Sequence, residues 1–211
     1  MDRIRISDVL ASEPTGQTVQ AAGWVRTRRE SKAVAFLEIN DGSCLSSLQV
    51  IVDRAAESLE QELPRAQTGA SVWVTGSLER SPKSEQALEL HATALEVLGE
   101  ADAEEYPLQK KRHSFEYLRE IAHLRPRTNT FGAIARVRNS LSFAVHRFFQ
   151  ERGYVYVHTP IITGSDAEGA GEMFRVSADI EGREFFGKPT FLTVSGQLEA
   201  ETYATALDRV Y

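Results

Sequence analysis

Short runs of alternating apolar and polar residues dominate the first hundred positions of the chain. Residues 18–25 alternate with a period of two, which is the pattern of a strand with one buried face. The same pattern predicts four more strands, at 33–39, 48–52, 71–78 and 87–97. A helix is predicted at 55–63, before Pro64. Five strands with a helix after the third is the order of an OB-fold, a small barrel used for single-stranded nucleic acid.

The pattern changes after residue 99. Residues 99–112 are charged and weakly patterned, which indicates a linker, and a short helix is predicted at 114–124 before Pro126. Apolar residues then recur at helical spacing for about five or six turns, up to Gly153. Further strands are predicted at 154–157, 161–162, 185–186 and 191–194, and a helix at 197–207. We therefore expect three regions, 1–99, 100–128 and 129–211.

Composition narrows the class of protein. The chain has 211 residues and one cysteine, so it has no internal disulfide and no multi-cysteine zinc site. No run approaches the roughly 20 apolar residues that span a bilayer, and we expect a cytoplasmic protein without membrane contact. The net charge of −6 argues against general coating of nucleic acid, but two groups of cations stand out. They are Arg26, Arg28, Arg29 and Lys32, and then Lys110, Lys111, Arg112, Arg119, Arg125 and Arg127.

Phe36 is the most informative residue of the predicted barrel. It shares its side of the strand with Val34 and Glu38, whereas the other side is more apolar. We therefore expect the Phe36 ring to point away from the barrel core, where it could stack on a base for about 1–3 kcal/mol. Arg29 could hold a phosphate and Gln49 could read a base edge. The competing interpretation is ordinary: most strand phenylalanines are core, and most arginine pairs are solvated surface.

These residues, within Gly23-Trp24-Val25-Arg26-x-Arg28-Arg29, Phe36, Asp41-Gly42 and Gln49, resemble the anticodon-binding domain shared by aspartyl-, asparaginyl- and lysyl-tRNA synthetases. The resemblance implies that Phe36, Gln49 and Arg29 contact the central anticodon uridine. The basic residues at 110–112 and 125–127 also match the asparaginyl pattern, and we interpret them as contacts to the tRNA backbone, with a plain surface patch as the alternative.

The second half is similar to the class II catalytic domain of the same synthetases. Residues 153–160, which end in Thr159-Pro160, resemble motif 1, whose helix and strand form the dimer interface with the proline at the subunit boundary. Residues 168–174 resemble a flexible loop that closes on the amino acid, with Glu168 facing the substrate ammonium. A generic mobile acidic loop is the alternative for this segment.

Residues 193–201 are the most discriminating stretch. The resemblance implies that Ser195 and Gln197 contact the backbone of the amino acid. Aspartyl enzymes carry a lysine where Ala200 stands here, and Glu201 is nearby. A glutamate can accept a hydrogen bond from the side-chain amide of asparagine and would repel the carboxylate of aspartate. This departure matches the asparaginyl subgroup, although Ser195 could also be an ordinary helix N-cap.

The resemblance implies an OB-fold barrel followed by an incomplete α+β class II catalytic domain, an antiparallel sheet with helices. The implied parent is a homodimeric asparagine–tRNA ligase that uses ATP and Mg²⁺ to attach asparagine to tRNA(Asn). Motifs 2 and 3 with their ATP-binding arginines are missing, so we assign no catalytic residue, and no metal ligand, to this chain and expect it to be inactive alone. The alternatives are a stand-alone tRNA- or single-stranded RNA-binding module, an aspartyl enzyme of relaxed specificity, and an asparagine-synthesising relative, which lacks the barrel.

Overall fold

A computed structural model of the protein describes residues 3–81, 87–102, 104–109, 111–165, 169, 173–179 and 181–211. The chain forms two compact units, Met1–Arg136 and Val137–Tyr211. Residues 100–128, which we call the connecting segment, and the first turns of the long helix after them belong to the first unit.

The first unit is built on a closed barrel with the strand order β1-β2-β3-β5-β4. The strands are β1 Thr18–Glu30, β2 Val34–Asn40, β3 Leu48–Asp53, β4 Ser71–Arg80 and β5 Leu88–Gly99. Neighbouring strands are antiparallel except β3 and β5, which pair in parallel and close the barrel. Helix α2, Glu57–Glu62, lies between β3 and β4 in the chain and ends close to its predicted limit. The predicted OB-fold is confirmed.

Alternation along the strands produces the barrel core. Ala35, Leu37 and Ile39 of β2 are completely buried, and the residues between them are only partly buried. Strand β3 repeats the pattern with Leu48, Val50 and Val52. Helix α1, Ile6–Ala11, was not predicted, and it adds two buried apolar side chains to this core.

Two glycines mark close backbone contacts inside the barrel. A Cβ atom on Gly76 would overlap the carbonyl oxygen of His91, at a register shift between β4 and β5. A Cβ atom on Gly23 would lie 2.8 Å from the carbonyl carbon of Asn40. Because any side chain would push the strands apart at these points, glycine is required there.

The connecting segment packs on the barrel within the first unit. It contains helix α3, Phe115–Glu120, which begins at the N-cap Ser114, and a 3₁₀ turn, Arg125–Arg127. The Tyr106 ring lies directly over Gly69, where a Cβ atom would come within 2.8 Å of the ring. The guanidinium of Arg127 lies over the Trp24 ring at 4.9 Å and donates to the Tyr106 hydroxyl at 3.3 Å. The segment predicted as a linker is thus held to the barrel by specific contacts.

Helix α4, Asn129–Gln150, is the long predicted helix, and its residues after Arg136 belong to the second unit. A short antiparallel sheet with the order β6-β8-β7 follows, made of β6 Ile162–Thr163, β7 Arg175–Val176 and β8 Thr190–Leu192. Helix α5, Gln197–Leu207, has the predicted bounds.

Two strand predictions in the second unit are wrong. Residues 154–157 form only an isolated parallel bridge from Val155 to Val210, and residues 185–186 lie in a turn. Both segments have strand-like composition, but in the described chain residues 155–157 pair only with residues 209–211, through three backbone hydrogen bonds, and residues 185–186 lie outside every strand. A run of apolar residues becomes a strand only where a partner supplies the hydrogen bonds.

Candidate functional site

The outward side chains of the barrel form two rows that cross its strands. One row, in register, is Arg29, Phe36, Ile51 and His91, and the next is Thr27, Glu38, Gln49 and Glu89. We call this surface the Phe36 face. Phe36 is partly exposed and points away from the core, as the alternation predicted. Gln49 stands diagonally across β2 and β3 from Phe36, a separation of about 7–8 Å that long side chains can bridge.

Glu89 organises the amide of Gln49. The Gln49 Nε2 atom donates to Glu89 Oε2 at 3.3 Å, and His91 Nε2 lies 3.1 Å from Glu89 Oε1. Because a carboxylate can only accept, the amide nitrogen of Gln49 faces Glu89 and its Oε1 is left as an acceptor. Glu89 is itself buried, with only 7% of its surface exposed. Glu89 was not predicted as a site residue, and the signal for it in the sequence is an acidic residue between two core leucines of a strand.

Arg29 is the exposed cation of this face. Its Nη2 lies 3.8 Å from Glu38 Oε1, and its side chain is 58% exposed. An exposed ion pair of this kind contributes at most about 1 kcal/mol, so little free energy is needed to turn Arg29 toward a ligand.

The other two arginines of the first basic group have structural contacts. Arg28 donates to the Leu63 carbonyl at 2.7 Å and to Glu30. Arg26 donates to the Arg127 carbonyl and to Asn129, and burial lowers the pKa of its guanidinium. Of these three arginines, therefore, only Arg29 has its guanidinium mainly in solvent.

A groove of about 930 Å³ opens beside the Phe36 face, within the first unit. Thr27 and Glu38, which belong to that face, form part of its wall. The connecting segment supplies much of the remaining wall through Tyr106, Lys111, Arg112 and His113. Lys111 and Arg112 are exposed there, whereas Lys110 lies outside the described residues.

Three of the four predicted amino-acid contacts lie together at the start of α5. The backbone N–H of Gln197 donates to Ser195 Oγ at 3.1 Å, and Gln197 Nε2 donates to Glu201 Oε1 at 3.0 Å. Gly196, between them, has no room for a Cβ atom because the Thr159 hydroxyl occupies that space. Ser195, Gln197 and Glu201 therefore form one hydrogen-bonded group. Glu168, the fourth predicted contact, lies outside the described residues.

The segment that resembles motif 1 and the helix before it present apolar surface. Pro160 is exposed, and so are apolar side chains of α4 that follow helical spacing. These side chains are Ile134, Val137, Leu141, Val145 and Phe148. No described helix is both long enough and apolar enough to cross a membrane.

Two family models match the chain. The model of the OB-fold nucleic acid binding domain of the tRNA anti-codon type matches residues 19–98. The model of class II tRNA synthetases (D, K and N) matches residues 97–211.

Curated relatives match nearly all of the chain. The asparagine–tRNA ligase of Desulfotalea psychrophila is 57% identical over 99% of this chain and 46% of its own length. That of Treponema denticola is 55% identical over 98% of this chain and 49% of its own length. The chain thus spans about half the length of the curated relatives it matches.

Solved structures agree with this match. The asparaginyl-tRNA synthetase of Pyrococcus horikoshii, complexed with asparaginyl-adenylate, is similar with a TM-score of 0.83 and 25% identity, over 98% of this chain and 46% of that one. The Entamoeba histolytica asparaginyl-tRNA synthetase shares the fold with a TM-score of 0.76 and 21% identity, over 98% of this chain and 46% of that one. Because the synthetase model covers more than half of the chain, the chain belongs to the family of class II tRNA synthetases (D, K and N).

Proposed function

We propose that the whole protein is an asparagine–tRNA ligase and that this chain supplies its anticodon-reading and amino-acid-recognising parts. The observation that carries the proposal is the 57% identity to an asparagine–tRNA ligase over 99% of the chain. In the first step, the asparagine carboxylate attacks the α-phosphate of ATP, which forms asparaginyl-adenylate and releases pyrophosphate. In the second, a terminal ribose hydroxyl of tRNA(Asn) takes the asparaginyl group and AMP leaves.

On the barrel, the proposed ligand is an unpaired uridine at the centre of an anticodon. Phe36 stacks on the base and Arg29 holds the base or its backbone. Gln49 Oε1 accepts from uracil N3–H, and its second amide hydrogen can donate to a uracil carbonyl. Cytosine has an acceptor at N3. Its N3 atom and Gln49 Oε1 would therefore face each other as two acceptors, with no hydrogen to form a bond. The hydrogen bond from Gln49 to Glu89 supports this assignment because it sets the direction of the amide.

The amino-acid site of the proposal lies at the start of α5. Ser195 and Gln197 contact the backbone of asparagine, Glu168 faces its ammonium, and Glu201 accepts from its side-chain amide. The hydrogen bond from Gln197 to Glu201 supports the last role, because it holds the carboxylate in one orientation. An aspartate carboxylate in the same place would meet a like charge and lose the donor that Glu201 requires.

ATP is a proposed substrate of the whole protein, and Mg²⁺ a proposed cofactor that neutralises phosphate charge. In the part of the chain that the structure describes, no group of three or more histidine, cysteine or acidic residues could hold a metal ion. The proposal assigns no residue to Mg²⁺ and no catalytic residue.

We further propose a cytoplasmic homodimer with α4 and Pro160 at the subunit boundary, and functional regions at 1–99, 100–128 and 129–211. The exposed apolar stripe of α4 supports the dimer assignment. The exposed Lys111 and Arg112, beside the groove, are proposed contacts to the tRNA backbone.

A second candidate is a stand-alone RNA-binding module. The observation that favours it is that all buried hydrophobic residues of the described chain lie at or before Leu118, in the first unit. The first unit thus has its own core and the Phe36 face, and needs nothing from the second unit to bind RNA.

The deciding experiment joins this chain to the downstream half of the Desulfotalea psychrophila ligase. We expect asparagine-dependent ATP–pyrophosphate exchange. The exchange rate with aspartate should be lower by about a hundredfold or more, because an aspartate side chain would leave the hydrogen-bonding groups of the site without partners. The 211-residue chain alone is the control and should show no exchange above a purified blank. Equal rates with both amino acids would indicate relaxed specificity. A chimera that binds RNA but shows no exchange would favour the stand-alone module.

A further inference from the structure

The loop between the two strands that carry Phe36 and Gln49 is joined to β2 by a set of side-chain hydrogen bonds. This β2–β3 loop comprises residues 41–47. The Asn40 side chain donates to the carbonyls of Cys44 at 3.2 Å and Ser46 at 2.7 Å, and accepts from Gly42 N–H at 2.8 Å. Because these hydrogen bonds begin at the last residue of β2, a shift of the strands moves the loop with them.

Helix α4 is attached to this loop. Arg136 Nη2 donates to the Gly42 carbonyl at 2.7 Å, and its Nη1 donates to the Gly132 carbonyl one turn earlier at 3.0 Å. Gly132 of the helix lies beside Leu45 of the loop. A Cβ atom at position 132 would lie 3.5 Å from Leu45 Cδ2. A single guanidinium therefore bridges a loop carbonyl and a helix carbonyl, with both of its terminal nitrogens engaged.

The position of Arg136 differs from that of an ordinary surface arginine. The residue is exposed, yet its partner is a backbone carbonyl of the loop and not a mobile carboxylate. Gly42 has a φ of +81°, so its carbonyl direction depends on a conformation that few other residues adopt. Arg136 and the turns of α4 before it belong to the first unit, together with the β2–β3 loop.

We propose that Arg136 is a positioning residue that couples the binding of an unpaired base on the Phe36 face to helix α4. This inference rests on the proposed RNA-binding function of that face. A base bound by Phe36 and Gln49 restrains β2 and β3. The β2–β3 loop is restrained with these strands, and the hydrogen bond from Arg136 to the loop restrains α4 in turn. Arg136 itself does not touch the RNA.

The experiment measures backbone amide hydrogen exchange in α4 of the 211-residue chain, with and without a saturating anticodon stem-loop RNA whose central loop base is uridine. We expect the RNA to slow exchange in α4 by about fivefold or more, the lower end of typical coupling free energies. Arg136→Met should bind the RNA within about twofold of the unchanged chain, but the slowing in α4 should be lost. Arg138→Met, on the same helix, is the matched control and should retain it.

Two results would overturn the coupling: RNA binding without any slowing in α4 of the unchanged chain, or equal slowing in Arg136→Met. Should Arg136→Met unfold, Arg136→Lys is the second variant, because one ammonium cannot bridge the two carbonyls as the guanidinium does. Arg136→Lys is expected to bind RNA and to lose most of the slowing, and full slowing in it would overturn the proposal. If the unchanged chain binds no RNA, the proposed function fails first, and this is visible in the binding curve before any exchange is measured.

Discussion

The two units differ in how much of their apolar surface they bury themselves. In the first, the barrel strands and α1 enclose a continuous core that includes Ile6, Leu37 and Leu90. In the described part of the second, Thr190 is the only buried residue, while Leu141, Phe143 and Phe186 are each more than 60% exposed. Since burial of apolar surface is the main stabilising contribution to folding, the first unit can be stable by itself, and the second requires further apolar surface to cover it.

The largest expected effect tests this difference directly. Leu37→Ala should destabilise the first unit by about 3 kcal/mol, because it removes a fully buried side chain and leaves a cavity. Leu141→Ala, the same substitution at an exposed position of the second unit, should change the free energy of unfolding by less than about 0.5 kcal/mol. Urea unfolding followed by the fluorescence of Trp24 and Trp73 reports on the barrel. Equal losses in both variants would break the comparison.

A smaller effect concerns binding instead of stability. Phe36→Ala should weaken binding of the anticodon stem-loop by about 2 kcal/mol, or roughly thirtyfold, because a stacking platform is removed. The barrel should keep its stability, since the ring lies outside the core. Phe143→Ala in the second unit is the matched control and should bind within about twofold. Unchanged binding by Phe36→Ala at fixed salt would remove the Phe36 face as the RNA site.

The smallest effect depends on pH. Asp41 accepts from the backbone N–H of Ile6 at 3.1 Å and of Ser43 at 2.9 Å, and from the Ser43 hydroxyl. Burial alone would raise the pKa of Asp41, but these hydrogen bonds outweigh it and the pKa is lowered. A lowered pKa in the folded state gives stability that is present above the unfolded value of about 3.9 and is lost as the pH falls through the folded value.

Asp41→Asn should therefore cost about 1 kcal/mol at pH 7 and flatten the loss of stability below about pH 4. Urea unfolding at a series of pH values measures both. Asp208→Asn, at an exposed position of the second unit, serves as the control and should leave the profile unchanged. A steep acid transition that persists in Asp41→Asn would mean that other carboxylates control it.

The outward position of Phe36 could be predicted because alternation along one strand needs only local sequence. The role of Glu89 could not be predicted in this way. It meets Gln49 because β3 and β5 pair in parallel, which joins residues forty positions apart. Arg26 and Arg28 look equivalent to Arg29 in the sequence, but their contacts with the connecting segment and with Leu63 separate them.

Local sequence was enough to predict the positions of the five barrel strands along the chain, the long helix α4, the bounds of α5 and the side of β2 that faces solvent, because period and turn residues are local properties. Contacts between residues distant in the chain settle which arginines stay exposed, which carboxylate orients Gln49 and which apolar runs become strands. Residues 154–157 illustrate the division: their composition predicts a strand, but hydrogen bonds across a ladder need a partner. In the described chain, residues 209–211 pair with that segment through three backbone hydrogen bonds and one bridge, from Val155 to Val210.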